Sequence, residues 1–323
     1  MSDDMFTLVL PLLFYVTGWW PQQNVAADAT RDSDNLVIST DVELVILDVS
    51  VKDSNGGYVS DLTADNFKVY EDRKLQAIKH FSHNDIPVTI GLIIDNSGSM
   101  RSKRPGVVTA ALALVGASNP HDEIFVVNFN DQVRPGLPLD VLFSDNVPTL
   151  RKALWVGSAE GRTKLYDALG YSLEYLDKGR MDKKTLVVVS DGGDNASTLS
   201  RRQIMERVEA SHATIYTIDI FDEYDPDNNS DVLKKLAQVS GGESFQLKEI
   251  PETVTVCTKI AKDIRNRYTI AYVPSHVSSP RSVHVVKVNA SMPKRQKLIV
   301  HARTRYMIPE PNQPGPGPKG ASQ

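Results

Sequence analysis

Hydrophobic and polar positions divide the chain into three regions, and the pattern of the middle region differs from that of the two outer ones. Residues 37–81 form short apolar runs, one of which, residues 41–51, alternates for most of its length, and they show no helical period. Residues 87–267 alternate between short apolar runs and longer stretches with a helical period. After Arg267 the short runs return, at residues 268–273, 283–288 and 298–302. A period of two predicts strands, whereas strands that alternate with helices predict a parallel sheet covered on both faces.

The middle region, residues 87–267, is predicted to be an α/β domain. Its predicted strands are residues 88–94, 123–129, 186–189, 214–220 and 244–246, and its predicted helices are residues 105–117, 147–155, 164–176, 201–211, 231–239 and 252–267. The runs at 88–94 and 186–189 are wholly apolar, which is typical of strands buried on both faces. The predicted fold class is therefore α/β, with a doubly wound and mostly parallel sheet.

The β segments on either side, residues 37–84 and 268–308, are predicted to form one β-sandwich that is split in the sequence. Each segment alone has too few strands to form a sandwich and would leave exposed edges. Pairing the two segments removes those edges. The α/β domain is then an insertion in the split sandwich.

Composition and the chain ends narrow the class of protein. The 323 residues are 41% apolar and 24% charged, with a net charge of −4 and a single cysteine, so nucleic acid is a poor candidate partner. Residues 5–20 are almost wholly apolar and precede Ala27-Asp28-Ala29, which predicts a signal peptide at residues 1–29 and export to the periplasm or the cell surface. A retained membrane anchor is the alternative, although the run is short for one. Residues 309–323 are rich in proline and glycine and predict a disordered tail.

Three segments are expected to bring oxygen atoms to the carboxyl edge of the sheet, where open α/β sheets bind ligands. Asp95, Ser97 and Ser99 follow the first strand, Thr163 lies in a loop before a helix, and Asp191 follows the strand at 186–189. Carboxylates and hydroxyls are hard ligands, which favour Mg²⁺, Mn²⁺ or Ca²⁺ over Zn²⁺. Asp and Ser before a helix also occur simply as N-caps, which is the alternative interpretation.

These motifs resemble the von Willebrand factor A domain and its metal-ion-dependent adhesion site. The resemblance is carried by Asp95-x-Ser97-x-Ser99, the Gly-x-Thr loop before Leu165-Tyr166-Asp167-Ala168-Leu169, and Ser190-Asp191-Gly192, and it implies a Rossmann-like domain over residues 87–267. Residues 59–67, 71–72 and 303–306 resemble a bacterial subgroup of exported proteins that carry this domain inside a β-sandwich. The resemblance implies that Ser97, Ser99 and often Thr163 bind the ion directly, while Asp95 and Asp191 act largely through water.

The function expected from this resemblance is metal-dependent binding of a partner protein, as in cell adhesion. An ion held by neutral hydroxyls keeps much of its charge and binds a partner's aspartate or glutamate carboxylate. The acidic residues Asp222, Glu223 and Asp225 are predicted to contact that partner. A structural or assembly subunit of a cell-surface or envelope complex is the alternative. An enzyme is not expected, because no general base accompanies the two serines.

Overall fold

The computed structural model describes residues 44–220, 229–275, 279, 281–292 and 297–308. The predicted signal peptide, the predicted tail and the segment with Asp222, Glu223 and Asp225 lie outside the described residues. In the described part of the chain, no helix is long and apolar enough to cross a membrane.

The strands of the described ranges are β1 Val45–Lys52, β2 Phe67–Glu71, β3 Lys74–Gln76, β4 Ile78–Ser82, β5 Val88–Asp95, β6 Glu123–Phe129, β7 Val133–Pro135, β8 Lys183–Ser190, β9 Thr214–Ile220, β10 Ser244–Leu247, β11 Tyr268–Tyr272, β12 Val283–Ala290, β13 Ile299–His301 and β14 Arg305–Met307. The α-helices are α1 Arg104–Gly116, α2 Val147–Leu154, α3 Leu165–Leu176, α4 Arg201–Ala210, α5 Ser230–Ser240 and α6 Glu252–Arg265.

The central sheet has six strands in the order β10-β9-β8-β5-β6-β7. All neighbouring pairs are parallel except β6 and β7. Every residue of β5 is buried, because this strand lies in the middle of the sheet and its apolar side chains pack on both faces. The predicted α/β fold with a mostly parallel sheet is confirmed.

Local sequence explains where two of the covering helices begin and end. Ser200 caps α4, and its hydroxyl and the side chain of Gln203 form a reciprocal capping box. Helix α5 ends at Gly241, whose φ of +88° is a left-handed conformation that favours glycine. These residues therefore determine where α4 begins and where α5 ends, and so where the connections to the neighbouring strands start.

The β segments that flank the central module in sequence pair with each other. Two four-stranded sheets form, in the orders β13-β1-β11-β4 and β14-β12-β2-β3. Each sheet combines strands from before and after the central module. One hydrophobic core lies between the sheets and includes Leu47 and Val49 from β1, Val69 from β2 and Ile270 from β11. Pairing of β1 with β11 therefore depends on residues more than two hundred positions apart.

A buried ion pair joins the sandwich to the central module. The guanidinium of Arg267, which is 3% exposed, lies 3.0 Å from the carboxylate of Asp263 in α6 and donates to the backbone oxygen of Asp48 in β1. Tyr216 in β9 and Ser50 in β1 both donate hydrogen bonds to the carboxylate of Asp263. The positive charge of Arg267 holds the pKa of Asp263 at about 2, against the opposing effect of burial.

Candidate metal centre

The ends of β5 and β8 bring the predicted site residues to one edge of the central sheet. β5 and β8 are parallel neighbours, so their carboxyl ends lie side by side. Asp95 is the last residue of β5, and Asp191 directly follows the last residue of β8. Both aspartates are almost fully buried, with 1% and 2% of their surface exposed. A carboxylate that is buried at a strand end needs a compensating partner.

One network of hydrogen bonds includes Asp95, Ser97, Ser99 and Asp191, together with Ser190, the last residue of β8. The hydroxyl of Ser99 donates to Oδ2 of Asp191 over 2.6 Å, and the hydroxyls of Ser97 and Ser99 lie 3.2 Å apart. Asp95 accepts the backbone N–H of Ser97 at 2.8 Å and the hydroxyl of Ser190 at 2.6 Å. Two carboxylates and two ligand-type hydroxyls therefore converge.

The loop that carries Thr163 is fixed beside this edge by backbone contacts. The N–H of Gly98 donates to the carbonyl of Gly161 over 3.1 Å. The N–H of Thr163 donates to the side-chain oxygen of Asn195 over 2.9 Å, and the carbonyl of Thr163 accepts the N–H groups of Asn195 and Ala196. Thr163 is only 6% exposed. The loop that contains Thr163 thus adjoins the segment after β5 through Gly98 and Gly161.

Side-chain to backbone hydrogen bonds in both directions hold the start of α3 against the segment after Asp191. The carboxylate of Asp194 accepts the N–H of Tyr166, and the carboxylate of Asp167 accepts the N–H groups of Thr198 and Leu199. The bond from Tyr166 satisfies an N–H group in the first turn of α3, which has no partner within the helix. Two of the three site loops are therefore fastened to each other, and their relative position is set by the protein.

The N-cap interpretation of Asp95, Ser97 and Ser99 is not supported. Ser97 precedes a short 3₁₀ turn at Gly98–Met100, but its side chain makes no capping hydrogen bond there. α1 begins only at Arg104, beyond all three residues. Instead, Asp95 accepts the hydroxyl of Ser190, and the hydroxyl of Ser97 contacts that of Ser99. The hydroxyl of Ser99 in turn donates to Asp191.

Electrostatics at this edge favour a cation. Burial, and next the charge of Asp191, raise the pKa of Asp95 to about 7, although hydrogen bonds from Ser190 and Ser97 act in the opposite direction. The described partners of both carboxylates are hydroxyls and backbone N–H groups, which carry no full positive charge. An all-oxygen set with two carboxylates fits a hard divalent ion, such as Mg²⁺, Mn²⁺ or Ca²⁺.

Two further residues belong to this edge and were not predicted as site residues. Ser190 ends β8, where its hydroxyl donates to Asp95 and accepts the N–H of Gly192. Asp219 lies near the end of β9 and is 1% exposed; burial raises its pKa, and the charge of Asp191 raises it further. A polar residue near the carboxyl end of an apolar parallel strand is the signal that identifies both positions.

A family model described as the von Willebrand factor type A domain matches residues 89–257, about half of the chain. No curated protein sequence matches the chain at a significant level.

Several solved structures are similar at low sequence identity. A von Willebrand factor type A protein from Catenulispora acidiphila is 13% identical with a TM-score of 0.48, over 85% of this chain and 76% of that one. The vWF domain of the type V pili tip protein Mfa5 from Porphyromonas gingivalis is 12% identical with a TM-score of 0.47, over 56% and 95%. Proximal thread matrix protein 1 from the mussel byssus, with a zinc-occupied MIDAS motif, is 15% identical with a TM-score of 0.45, over 57% and 49%.

Proposed function

The chain belongs to the von Willebrand factor type A domain family, and on this premise we propose that it is an exported, metal-dependent protein-binding module. The observation that carries the proposal is the contact of Ser99 with Asp191 beside the buried carboxylate of Asp95. The ends of β5 and β8, which are distant in sequence, bring carboxylate and hydroxyl oxygens together, and the loop with Thr163 adjoins them through Gly98 and Gly161. Helix capping alone gives no reason for that convergence.

The proposed ion is Mg²⁺, with Mn²⁺ or Ca²⁺ as alternatives. Ser97, Ser99 and Thr163 would supply neutral hydroxyl ligands, while Asp95 and Asp191 would act largely through ordered water. Mg²⁺ usually keeps several waters and binds few carboxylates directly, which suits this set. With neutral direct ligands the ion keeps most of its charge, and an Asp or Glu carboxylate of a partner protein completes its coordination.

The rim of the candidate metal centre also suits a partner that offers a carboxylate. Arg101 is exposed, and its side chain donates to the backbone oxygen of Ala159 in the loop that contains Thr163. Trp155 is 47% exposed, and the centre of its ring lies 5.0 Å from the guanidinium carbon of Arg104. Arginine and tryptophan are enriched among the residues that contribute most to protein–protein affinity. We therefore propose that the partner contacts Arg101, Trp155 and the candidate metal centre.

We propose that the module is not an enzyme. Among the described hydrogen bonds of Ser97 and Ser99, the acceptors are a hydroxyl and the carboxylate of Asp191, and no histidine or lysine takes part. A nucleophilic serine needs a base that removes its proton. The carboxylates and hydroxyls of the site can hold a cation, and binding a partner through that cation requires no base.

A peptide-display experiment tests this function while the partner is still unidentified. A random peptide library is selected against the chain in Mg²⁺, and selected peptides are remeasured in EDTA and after exchange of each Asp for Asn and each Glu for Gln. We expect peptides that need both Mg²⁺ and one acidic residue, and that fail to bind the Ser99→Ala variant. The matched control is Ser118→Ala, which removes a hydroxyl that bonds Leu114 within α1. Selected peptides that bind equally in EDTA would contradict the proposal.

A further inference from the structure

A second group of metal-type ligands lies in the β-sandwich. Glu71 ends β2, Asp72 follows in the turn to β3, and His284 lies in β12. One ligand atom from each of the three residues lies within 4.8 Å of the others. Nδ1 of His284 is 2.8 Å from Oδ2 of Asp72 and 3.7 Å from Oε1 of Glu71.

The sandwich fixes these three residues by strand pairing. Glu71 lies opposite Val286 in the antiparallel pair of β2 and β12, and Glu71 and His284 both point to the interior, with 0% and 5% of their surface exposed. Asp72 has a φ of +48° in the tight turn. Its backbone N–H donates to the carbonyl of Val285, and its carboxylate accepts the N–H of Val285 at 3.0 Å. The turn therefore holds the carboxylate of Asp72 against β12.

The atoms that point away from the centre of the group have their own hydrogen bonds. Nε2 of His284 lies 2.9 Å from the hydroxyl of Ser282. Oε2 of Glu71 accepts the hydroxyls of Tyr272 at 2.5 Å and of Tyr306 at 3.1 Å. Outer hydrogen bonds of this kind orient the ligands in protein metal sites, and they fix which ring nitrogen of a histidine faces the ion. Here they leave Nδ1 of His284 and Oε1 of Glu71 directed inward.

The distances between the inward atoms straddle the spacing of ligands around a transition ion, although Nδ1 of His284 and Oδ2 of Asp72 share a hydrogen bond at 2.8 Å. Zn²⁺ binds nitrogen and oxygen at about 2.0–2.2 Å, which places the ligand atoms of a tetrahedral site about 3.3 Å apart. The distances of 2.8 and 3.7 Å from Nδ1 bracket that value. A neutral imidazole with two carboxylates carries two negative charges, which one divalent ion balances. We propose that Glu71, Asp72 and His284 form a second metal site, with Zn²⁺ as the preferred ion.

The site has a route for the ion and a structural consequence. The side chain of Asp72 is 38% exposed, so the ion and a water ligand reach the site from solvent. Glu71 and Asp72 precede the central module in sequence, whereas His284 follows it. A bound ion therefore links the two halves of the split sandwich. It stabilises the fold because it binds the folded state alone.

Zinc titration of a chain whose first site is disabled tests this inference. The Asp95→Ala variant is purified, stripped with chelator and titrated with Zn²⁺ by calorimetry, with thermal unfolding in parallel. We expect one equivalent of bound Zn²⁺ and a higher melting temperature. Adding Asp72→Asn, an exposed change in a turn, should weaken binding at least tenfold and remove the thermal shift. Asp65→Asn, at another exposed aspartate of the sandwich segment, is the matched control and should leave both unchanged.

The outcomes separate a metal site from an ion pair. If His284 and Asp72 form only an ion pair, Asp72→Asn lowers the melting temperature in chelator, and Zn²⁺ has no effect on either protein. That result would overturn the inference. Equal zinc binding by the Asp72→Asn and Asp65→Asn variants would overturn it as well. Neither outcome bears on the first site, because every protein in the comparison carries Asp95→Ala.

Discussion

The hydroxyl of Ser99 donates a 2.6 Å hydrogen bond to the carboxylate of Asp191, a residue 92 positions further along the chain. The contact is possible because β5 and β8 are parallel neighbours that end at the same edge. It connects the segment after β5 with the segment after β8, beside the buried Asp95. The proposed metal binding, and the protein binding that rests on it, depend on this connection.

Ser190→Ala should weaken Mg²⁺ binding although Ser190 is not a proposed ligand. Its hydroxyl donates to Asp95 and orients that carboxylate. Loss of such an outer contact typically lowers metal affinity about 10–100-fold. Calorimetric titration with Mg²⁺ measures the change, with Ser118→Ala as control. Equal affinities of the two variants would show that Asp95 needs no orientation from β8.

The stability of the metal-free protein should fall as pH rises from about 4 to 7. Burial and the charge of Asp191 raise the pKa of Asp95 to about 7 in the folded state, from an ordinary value of 3.8. The folded state therefore holds this proton more tightly than the unfolded state, and the stabilisation that the proton provides is lost as pH rises through this window.

Asp95→Asn isolates this effect because asparagine does not ionise. In EDTA, the free energy of unfolding of the variant relative to wild type should increase by about 2–4 kcal/mol between pH 5 and pH 8. Saturating Mg²⁺ should raise the stability of wild type at pH 8 and leave the variant nearly unchanged. Denaturant unfolding at each pH measures both quantities. Parallel pH profiles of the two proteins in EDTA would mean that folding does not raise the pKa of Asp95.

Arg267→Met should destabilise the protein by about 3–5 kcal/mol, because it leaves the buried carboxylate of Asp263 without its main counter-charge. A second change, Asp263→Leu, should recover part of that loss. Arg202→Met is the control, since Arg202 pairs with Glu206 on an exposed helix face and should contribute less than about 1 kcal/mol. A double variant as unstable as Arg267→Met alone would show that the charge of Asp263 is not the cause.

Gly242→Ala should destabilise the central module by about 1–3 kcal/mol or more. A Cβ at this position would lie 2.0 Å from the backbone oxygen of Ile215, and a backbone atom of a central strand has little room to move. Gly116→Ala is the matched control, because nothing lies within 4 Å of a Cβ there and alanine favours the helix. The melting temperatures of the two variants measure the contrast, and equal values would contradict it.

The sequence predicted the strands β5, β6 and β9 to within one residue, because apolar residues recur along most of their length. β6 and β9 have the predicted bounds, β5 is one residue longer than predicted, and β8 is Lys183–Ser190 where residues 186–189 were predicted. The three-residue strands β3, β7 and β14 were not predicted, since three residues are too few to display a period. α6 ends at Arg265, two residues before the predicted end. The side chain of Arg267 instead enters the joint with β1, a tertiary contact that no local pattern contains.

The sequence named the candidate metal residues but not their surroundings. Asp95 and Asp191 were predicted to share an edge from the topology of parallel sheets alone. The role of Ser190 depends on which face of β8 its hydroxyl occupies, which is visible only in the structure. The contact of Asp72 with His284 spans 212 positions and follows from the register of β2 and β12. No spacing in the sequence indicates that register.

Calorimetric titration of the wild-type chain and the Asp95→Ala variant with Mg²⁺ examines the proposed ion site itself. Mg²⁺ is the suitable probe because it prefers oxygen ligands, and the Glu71, Asp72 and His284 group includes an imidazole. Circular dichroism of both proteins establishes that the fold is retained. We predict one equivalent of Mg²⁺ bound to wild type and none bound to Asp95→Ala. Unchanged Mg²⁺ affinity in a folded Asp95→Ala variant would contradict the assignment of the site.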